Sequence, residues 1–289
     1  MNQYVTLQNL RQYLGHENSL VKDNQLLTRV CIEASRMMDI PQRRREFFPH
    51  YETYYWDYRH ADDPLLLDRD LLEVSALTTR NTAVTITSAN YFLMNGYSHT
   101  RTPYSVIALN DGTTCWEYDA TRRQANAVTG IWGYHNDWAN AWGDSGDTVQ
   151  DAPLLVGGTA LTITNAAAAD ERELNPVFQV GQLIRFGATS TAEYAQITAI
   201  VGAVLTIVRG VNGSTAAEQA NATTIYIYRP QDDIVLATTI IAAHLYRRKD
   251  SIGTIDDRPL ASPSGVVIMP NNLPAEAMAI RSRYTMELP

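Results

Sequence analysis

Two apolar stripes of helical period, one towards each end of the chain, set the tightest limit on how it can fold. In "DNQLLTRVCIEASRMMDI" (23–40), Leu27, Val30, Cys31, Ala34 and Met38 share one face, and Pro41 closes the run. In "PQDDIVLATTIIAAHLYRRKDS" (230–251), Ile234, Ala237, Ile241 and Leu245 form the stripe, with Asp232 or Asp233 as N-cap. Arg247, Arg248 and Lys249 suit the negative end of that helix, and His244 reads as a packed or capping histidine. A shorter helix in "TLQNLRQYLG" carries Leu7, Leu10 and Leu14, with Thr6 as N-cap and Gly15 as stop. A last one in "NNLPAEAMAIRSRYTMEL" has Pro274 in its first turn and Ala277, Ile280 and Tyr284 on one face. Each stripe needs a partner surface. The simplest solution packs the terminal helices together.

Between them the texture is β. The runs "LLEVSAL", "TAVTIT", "YSVIAL", "TTCWEYD" and "NAVTGIW" are short, rich in β-branched and aromatic residues, and separated by Asn, Gly and Asp. Asp111-Gly112 between two of them signals a hairpin. After "GDSGDTVQD", which reads as a linker, residues 151–230 form a separate block with almost no helical pattern. The fragments "VGGTALTI" (156–163) and "VGAVLTI" (201–207) echo each other as two hairpins with a shared glycine turn, not as a repeat. The expected class is α+β: a core domain from 1–150 and 231–289, in which the terminal helices pack together with a β-rich core, and an inserted all-β barrel or sandwich at 151–230.

The bulk numbers permit this and exclude several classes. A chain of 289 residues can bury roughly 75% of its unfolded surface. No apolar run approaches the ~20 residues of a membrane span, and no secretory signal opens the chain, so synthesis in a cytosol is expected. "NGS" at 212 and "NAT" at 221 then read as incidental turn residues. Cys31 and Cys115 read as small buried hydrophobes, the second in a strand. A formal charge of −8 argues against electrostatic capture of nucleic acid, while allowing DNA to pass without sticking. Arg43 to Arg45 read as a solvated helix end in preference to a phosphate patch.

Chemistry would have to sit in "GIWGYHNDWANAW" (130–142), which holds Trp132, Trp138 and Trp142. The rings could be stacking platforms for a sugar, or plugs of a core or interface. His135 and Asp137, two apart, could form half of a catalytic pair, but no nucleophile lies near in sequence. His99, His135, Asp137, Asp144 and Asp147 could be imagined as a metal set, yet "DSGDTVQD" does not match the calcium loop. No P-loop, G-x-S-x-G elbow, H-E-x-x-H or dinucleotide fingerprint is present. No catalytic residue, cofactor or metal is expected.

The order of segments is more telling. "VTLQNLRQYLG", then "QLLTRVCIEASRMMD", then "REFFPHYETYYWDY" resembles the start of the head–tail connector (head-completion or adaptor) proteins of long-tailed bacteriophages. Leu27, Cys31, Ala34, Ser35, Phe47 and Phe48 are the matching positions. "LLEVSALT", "PYSVIAL" and "VTGIWGYH" look like the β core of longer members, and "IVLATTIIAAHLYRR" like their C-terminal helix. The block with "FQVGQLIRFG", "EYAQITAI" and "LTIVRGVNGSTAA" looks like a small β module of phage virion proteins. Arg43 and Arg44 stand where a Gly-Arg pair is more usual, and "AEQANAT" lacks the His and Gly often seen after "TAA".

The resemblance implies a structural protein of the virion neck, made in the bacterial host cytoplasm. It implies a closed, twelve-fold ring of copies beneath the portal protein, extending the DNA channel and offering a platform to the next neck or tail protein. The β module is expected to face outward. On this reading Trp132 anchors a strand end in the core, while Trp138 and Trp142 pack in the following loop against a neighbour or the domain's own edge. The segment Leu273 to Leu288, with Ile280 and Tyr284, is a candidate for docking into the portal. Arg247 and Arg248 complete the candidate interface. The alternative is a tail- or fibre-associated glycan-binding module using the tryptophans and the β block.

Overall fold

The computed structural model describes residues 2–15, 23–39, 45–95, 101–110, 114–167, 176–189, 192–248, 260–261, 267–268 and 273–284. Pro41, Arg43, Arg44, His99 and the Asp111-Gly112 turn lie outside the described residues. The class is α+β: the described residues hold four α-helices, two six-stranded antiparallel sheets and a two-stranded antiparallel pair, Leu260–Ala261 with Val267–Ile268.

The helices form where the stripes place them. Helix α1 (Leu7–Leu14) is capped by the Thr6 hydroxyl, which accepts from the Asn9 amide at 3.1 Å, and stops at Gly15 with φ 70°. Helix α2 (Asn24–Met38) buries Leu27, Val30, Cys31, Ala34, Ser35 and Met38. Helix α3 (Asp232–Arg247) is capped by Gln231, so Asp232 and Asp233 fall in its first turn and neither is the cap. It packs against α1, α2 and helix α4 (Ala275–Arg283), which is why Thr238, Thr239, Ala242 and Ala243 are buried beside the expected stripe. The terminal helices do pack together, and Ala277, Ile280 and Tyr284 of the α4 segment close over α3.

The first sheet contains β1 (His50–Trp56), β2 (Leu65–Thr79), β3 (Val84–Ile86), β4 (Tyr91–Met94), β5 (Tyr104–Leu109) and β6 (Asn126–Trp132), in the order β1-β6-β2-β5-β4 with β3 on β2. Register shifts along β2, at Leu66/Leu71, Leu71/Glu73 and Val74/Ala76, bend this long strand. The sheet has its own core of Leu67, Leu71, Leu77, Ile107, Trp116 and Trp132, among others. "TTCWEYD" is not a strand: residues 114–118 are irregular, and Trp116 is held by its indole N–H on the Asp63 carbonyl at 2.8 Å. Cys115 is correspondingly half-exposed, whereas Cys31 is buried and its thiol is pushed up to about 12 by that burial.

The second sheet runs β7-β12-β9-β10-β11-β8, from β7 (Trp142–Thr148), β8 (Ala160–Thr162), β9 (Leu183–Phe186), β10 (Tyr194–Val201), β11 (Val204–Arg209) and β12 (Thr224–Tyr228). It therefore starts at Trp142, and the expected linker "GDSGDTVQD" is mostly strand β7. The barrel does not close. Its two end strands are linked by the Gln150 amide on the Thr162 carbonyl at 2.9 Å and by Asp151, whose carboxylate accepts from the Thr162 amide and hydroxyl. The echoing fragments pair with each other, Leu161 opposite Leu205. Only Gly202 sits in a hairpin turn, between β10 and β11.

Candidate functional site

The aromatic stretch 130–142 bridges the two sheets. Trp132 ends β6, fully buried, with its indole N–H donating to the Glu52 carbonyl at 3.0 Å. Trp142 opens β7 and lies 5.2 Å from the rings of both Tyr194 and Tyr228, with the Arg185 guanidinium 4.6 Å over its own ring. Trp138, in a short 3₁₀ turn, meets Trp142 edge-on. Phe48, Tyr4 and Phe47 extend the chain of rings from Tyr228 into the helical core. Trp138 and Trp142 therefore pack on the chain's own interior, partly buried. The Trp142 ring is hemmed in by Tyr194, Tyr228 and the Arg185 guanidinium, which leaves a sugar little room on it.

His135 is likewise committed. Its Nδ1 accepts the Asp137 amide at 3.1 Å, which leaves Nε2 to donate to the Arg229 carbonyl at 3.0 Å. Burial holds its pKa below the ordinary histidine value. The Asp137 carboxylate instead receives the Asn140 side-chain amide at 2.9 Å, so His135 and Asp137 are not arranged as a base with its orienting acid.

The acids of "DSGDTVQD" bind backbone. Asp144 accepts from Gly146, and Asp147 from Thr148, Thr164 and Asn165. Burial alone would raise Asp147, but the Asn165, Thr164 and Thr148 amides hold it below the usual carboxylate range. Among the described residues no three His, Cys, Asp or Glu side chains are placed to hold a metal ion.

The other interface candidates divide. Ile280 and Tyr284 are buried and Leu273 is half-buried, all packed on the helical core. The Tyr284 ring lies 5.2 Å from Phe47, its hydroxyl donates to Asp233, and its carbonyl receives Arg45. The apolar face expected to dock into a portal is thus spent inside the chain. Arg247 is exposed and Arg248 half-buried at the last turn of α3.

Arg45 corrects another expectation. It is buried, bonds both oxygens of Asp70 at 2.6 and 2.9 Å, donates to the Tyr284 carbonyl at 2.6 Å, and lies over the Tyr134 ring.

In front of α3 lies a polar cavity of about 350 Å³. Its walls come from the loop after β6 (His135, Asp137, Asn140) and from the β12–α3 junction (Arg229, Gln231, Asp232, Asp233). Gln231 is 8% exposed, and neither end of its amide has a hydrogen-bond partner. Sequence reading passed over it because only the acids beside it looked like caps. A second cavity, about 360 Å³, lies by the first sheet between Tyr55, Trp56, Asp57, Arg59 and Trp116.

Among the described residues, exposed apolar side chains fall on both sheets and singly on the helices, at Tyr13, Leu26 and Leu236. Phe92 and Leu66 are exposed at the β4 side of the first, with Val106 on the same face. Val204 and Val208 alternate along the outer face of β11, with Val201, Leu155 and Val156 also exposed on this part of the chain. No helix in the described residues is long and apolar enough to cross a membrane. Searched against known proteins, the chain matches no family model and no curated sequence.

Proposed function

We propose that the chain is a structural subunit of a phage head–tail connector, a copy of which pairs with identical neighbours in a closed ring below the portal. Such a ring extends the DNA channel and presents a platform to the next neck or tail protein. The second sheet, near-closed but open, is the inserted β module, and its β11 face supplies one side of the contact between copies.

One observation carries this reading more than any other. Among the exposed apolar residues are two unlike strand faces, Phe92 with Leu66 and Val204 with Val208, on different sheets. A head-to-tail ring needs two different, complementary patches on each copy, and exposed apolar patches mark protein contacts. The glycan alternative gains little from Trp132, which is buried, or from Trp142, which neighbouring rings and Arg185 cover; Tyr55 and its cavity are the more open aromatic surface.

Co-sedimentation of the purified chain with portal-bearing capsids tests the reading. Saturable binding is expected, weakened by Phe92→Asp and by Val208→Asp, since both side chains are about half exposed and their replacement leaves the cores intact. Absence of binding by the unaltered chain would overturn it.

A further inference from the structure

The cavity beside the first sheet, about 360 Å³, has the size of a small-molecule site. Its rim comes from the loop between β1 and β2, and that loop is fastened to the irregular segment that follows Thr114. The Trp116 amide donates to the Ala61 carbonyl at 2.9 Å and its indole to the Asp63 carbonyl at 2.8 Å. Further on, the Tyr58 amide donates to the Arg122 carbonyl at 2.7 Å, and Asp57 accepts from the Gln124 amide at 2.9 Å. The rim is therefore set before any ligand arrives, which lowers the cost of binding one.

The floor is formed by Leu65, Trp116 and Asn126, all buried. Asn126 is 2% exposed, and its Oδ1 accepts the Thr79 hydroxyl at 2.8 Å, which turns its NH₂ away from Thr79. That NH₂ has no acceptor among the described residues, and it is not sealed from solvent as the Gln231 amide is. On the rim, Arg59 is exposed and makes no hydrogen bond or ion pair within the described chain. Asp57 keeps one carboxylate oxygen free, and Asp63 approaches only His60, at 4.0 Å. Tyr55, half exposed, and Trp56 supply aromatic lining.

This inventory selects among ligands by charge. An anion drawn to Arg59 would meet Asp57 and Asp63, and a cation drawn to the acids would meet Arg59. A neutral polyol suits both, because each hydroxyl donates one hydrogen bond and accepts others. The C–H face of a sugar ring also suits an aromatic lining. We propose that the cavity is a binding site for a neutral saccharide. Asn126 and Arg59 donate to its hydroxyls, Asp57 and Asp63 accept from them, and Tyr55 and Trp56 meet its apolar face. The site is separate from the tryptophans of 130–142, none of which lines it, and does not rest on the ring reading. Leu66 lines the cavity as well as the face given above to a neighbouring copy, so binding is measured on the unassembled chain.

Screening of the full chain on an array of neutral and sialylated oligosaccharides, with the best neutral trisaccharide then titrated by saturation-transfer NMR, tests this. A neutral saccharide is expected to bind with a Kd of about 1 mM or tighter. Tyr55→Ala should weaken binding about fivefold and Arg59→Ala about tenfold. Both side chains are exposed, so melting curves should stay close to that of the unaltered chain. Trp138→Ala should leave binding unchanged. No binding of a neutral saccharide at roughly 10 mM would overturn the assignment, as would binding confined to sialylated members. Affinity that survives both Tyr55→Ala and Arg59→Ala, or that is lost in Trp138→Ala, would overturn it too.

Discussion

Arg45 shows how far a single side chain's role can depart from its setting in sequence. It belongs to a basic run, yet its guanidinium joins β2, through Asp70, to the carbonyl that ends α4. Removing it leaves a carboxylate buried without its partner, so Arg45→Ala should cost about 3–5 kcal/mol in chemical denaturation. A loss under 1 kcal/mol would mean that Asp70 is wetter than its 4% exposure implies. Asp39 makes a pH-dependent case. Burial pushes its carboxyl from the usual 3.8 to about 7, against the opposing pull of the Tyr4 hydroxyl and Arg281. A carboxyl raised on folding holds its proton more tightly in the native state. Its contribution is therefore full below the unfolded value and is lost as pH rises through about 7. Asp39→Asn keeps an acceptor for Tyr4 and removes the charge. The variant should be more stable than the unaltered chain at pH about 8, on the order of 1–2 kcal/mol, with the gap closing towards pH about 5. A gap of equal size at both ends would refute this.

Among the elements, β6 ties β1 to the rest of the first sheet, since it pairs with both β1 and β2. Gly130 sits at its middle, opposite the irregularity in β2, where a Cβ would lie 2.1 Å from the Glu73 carbonyl oxygen. Backbone cannot yield as a flexible side chain can. Gly130→Ala should cost at least about 3 kcal/mol, read from thermal melting, and a neutral effect would mean that the strand is free to shift. The helices were legible in sequence because their apolar stripes and caps are local: Thr6, Gly15 and the Leu27-to-Met38 face stand where periodicity puts them. Strand β7 was hidden because its inward residues are Gly143, Ser145 and Asp147, small or polar, so its alternation leaves no apolar trace. Gly143 faces the Arg229 side chain and Asp147 is paired with backbone amides, contacts that only the fold creates. The opposite error arose at 114–118, where β-like composition meets no complete partner strand. The site was legible in part. His135 and Asp137 were visible as chemistry and Asp232 only as a possible cap; that they line one cavity depends on β12 delivering the chain to α3.

In the whole molecule, the rings that invite a search for a ligand serve to join one copy's own parts. The second sheet reaches the first through the Asn212 carbonyl, which accepts from the Tyr51 amide at 2.8 Å, and through the Asn212 side chain on the Pro49 carbonyl at 3.0 Å. Gly213 lies so close that a Cβ there would meet the Tyr51 oxygen at 1.9 Å. Tyr228 donates to the Phe47 carbonyl at 2.7 Å, bringing the same sheet onto the helical core. With its sheets fastened in this way the chain would offer the neighbours proposed above fixed strand faces, and the tryptophan cluster would take no part in them. Electron microscopy of the virion neck, at a resolution that traces side chains, addresses the central claim most directly. The expected density is a closed ring of this chain below the portal, with the β4 face of one copy against the β11 face of the next. A neck whose density holds no copy of the chain, or copies found only at fibre tips, would contradict it.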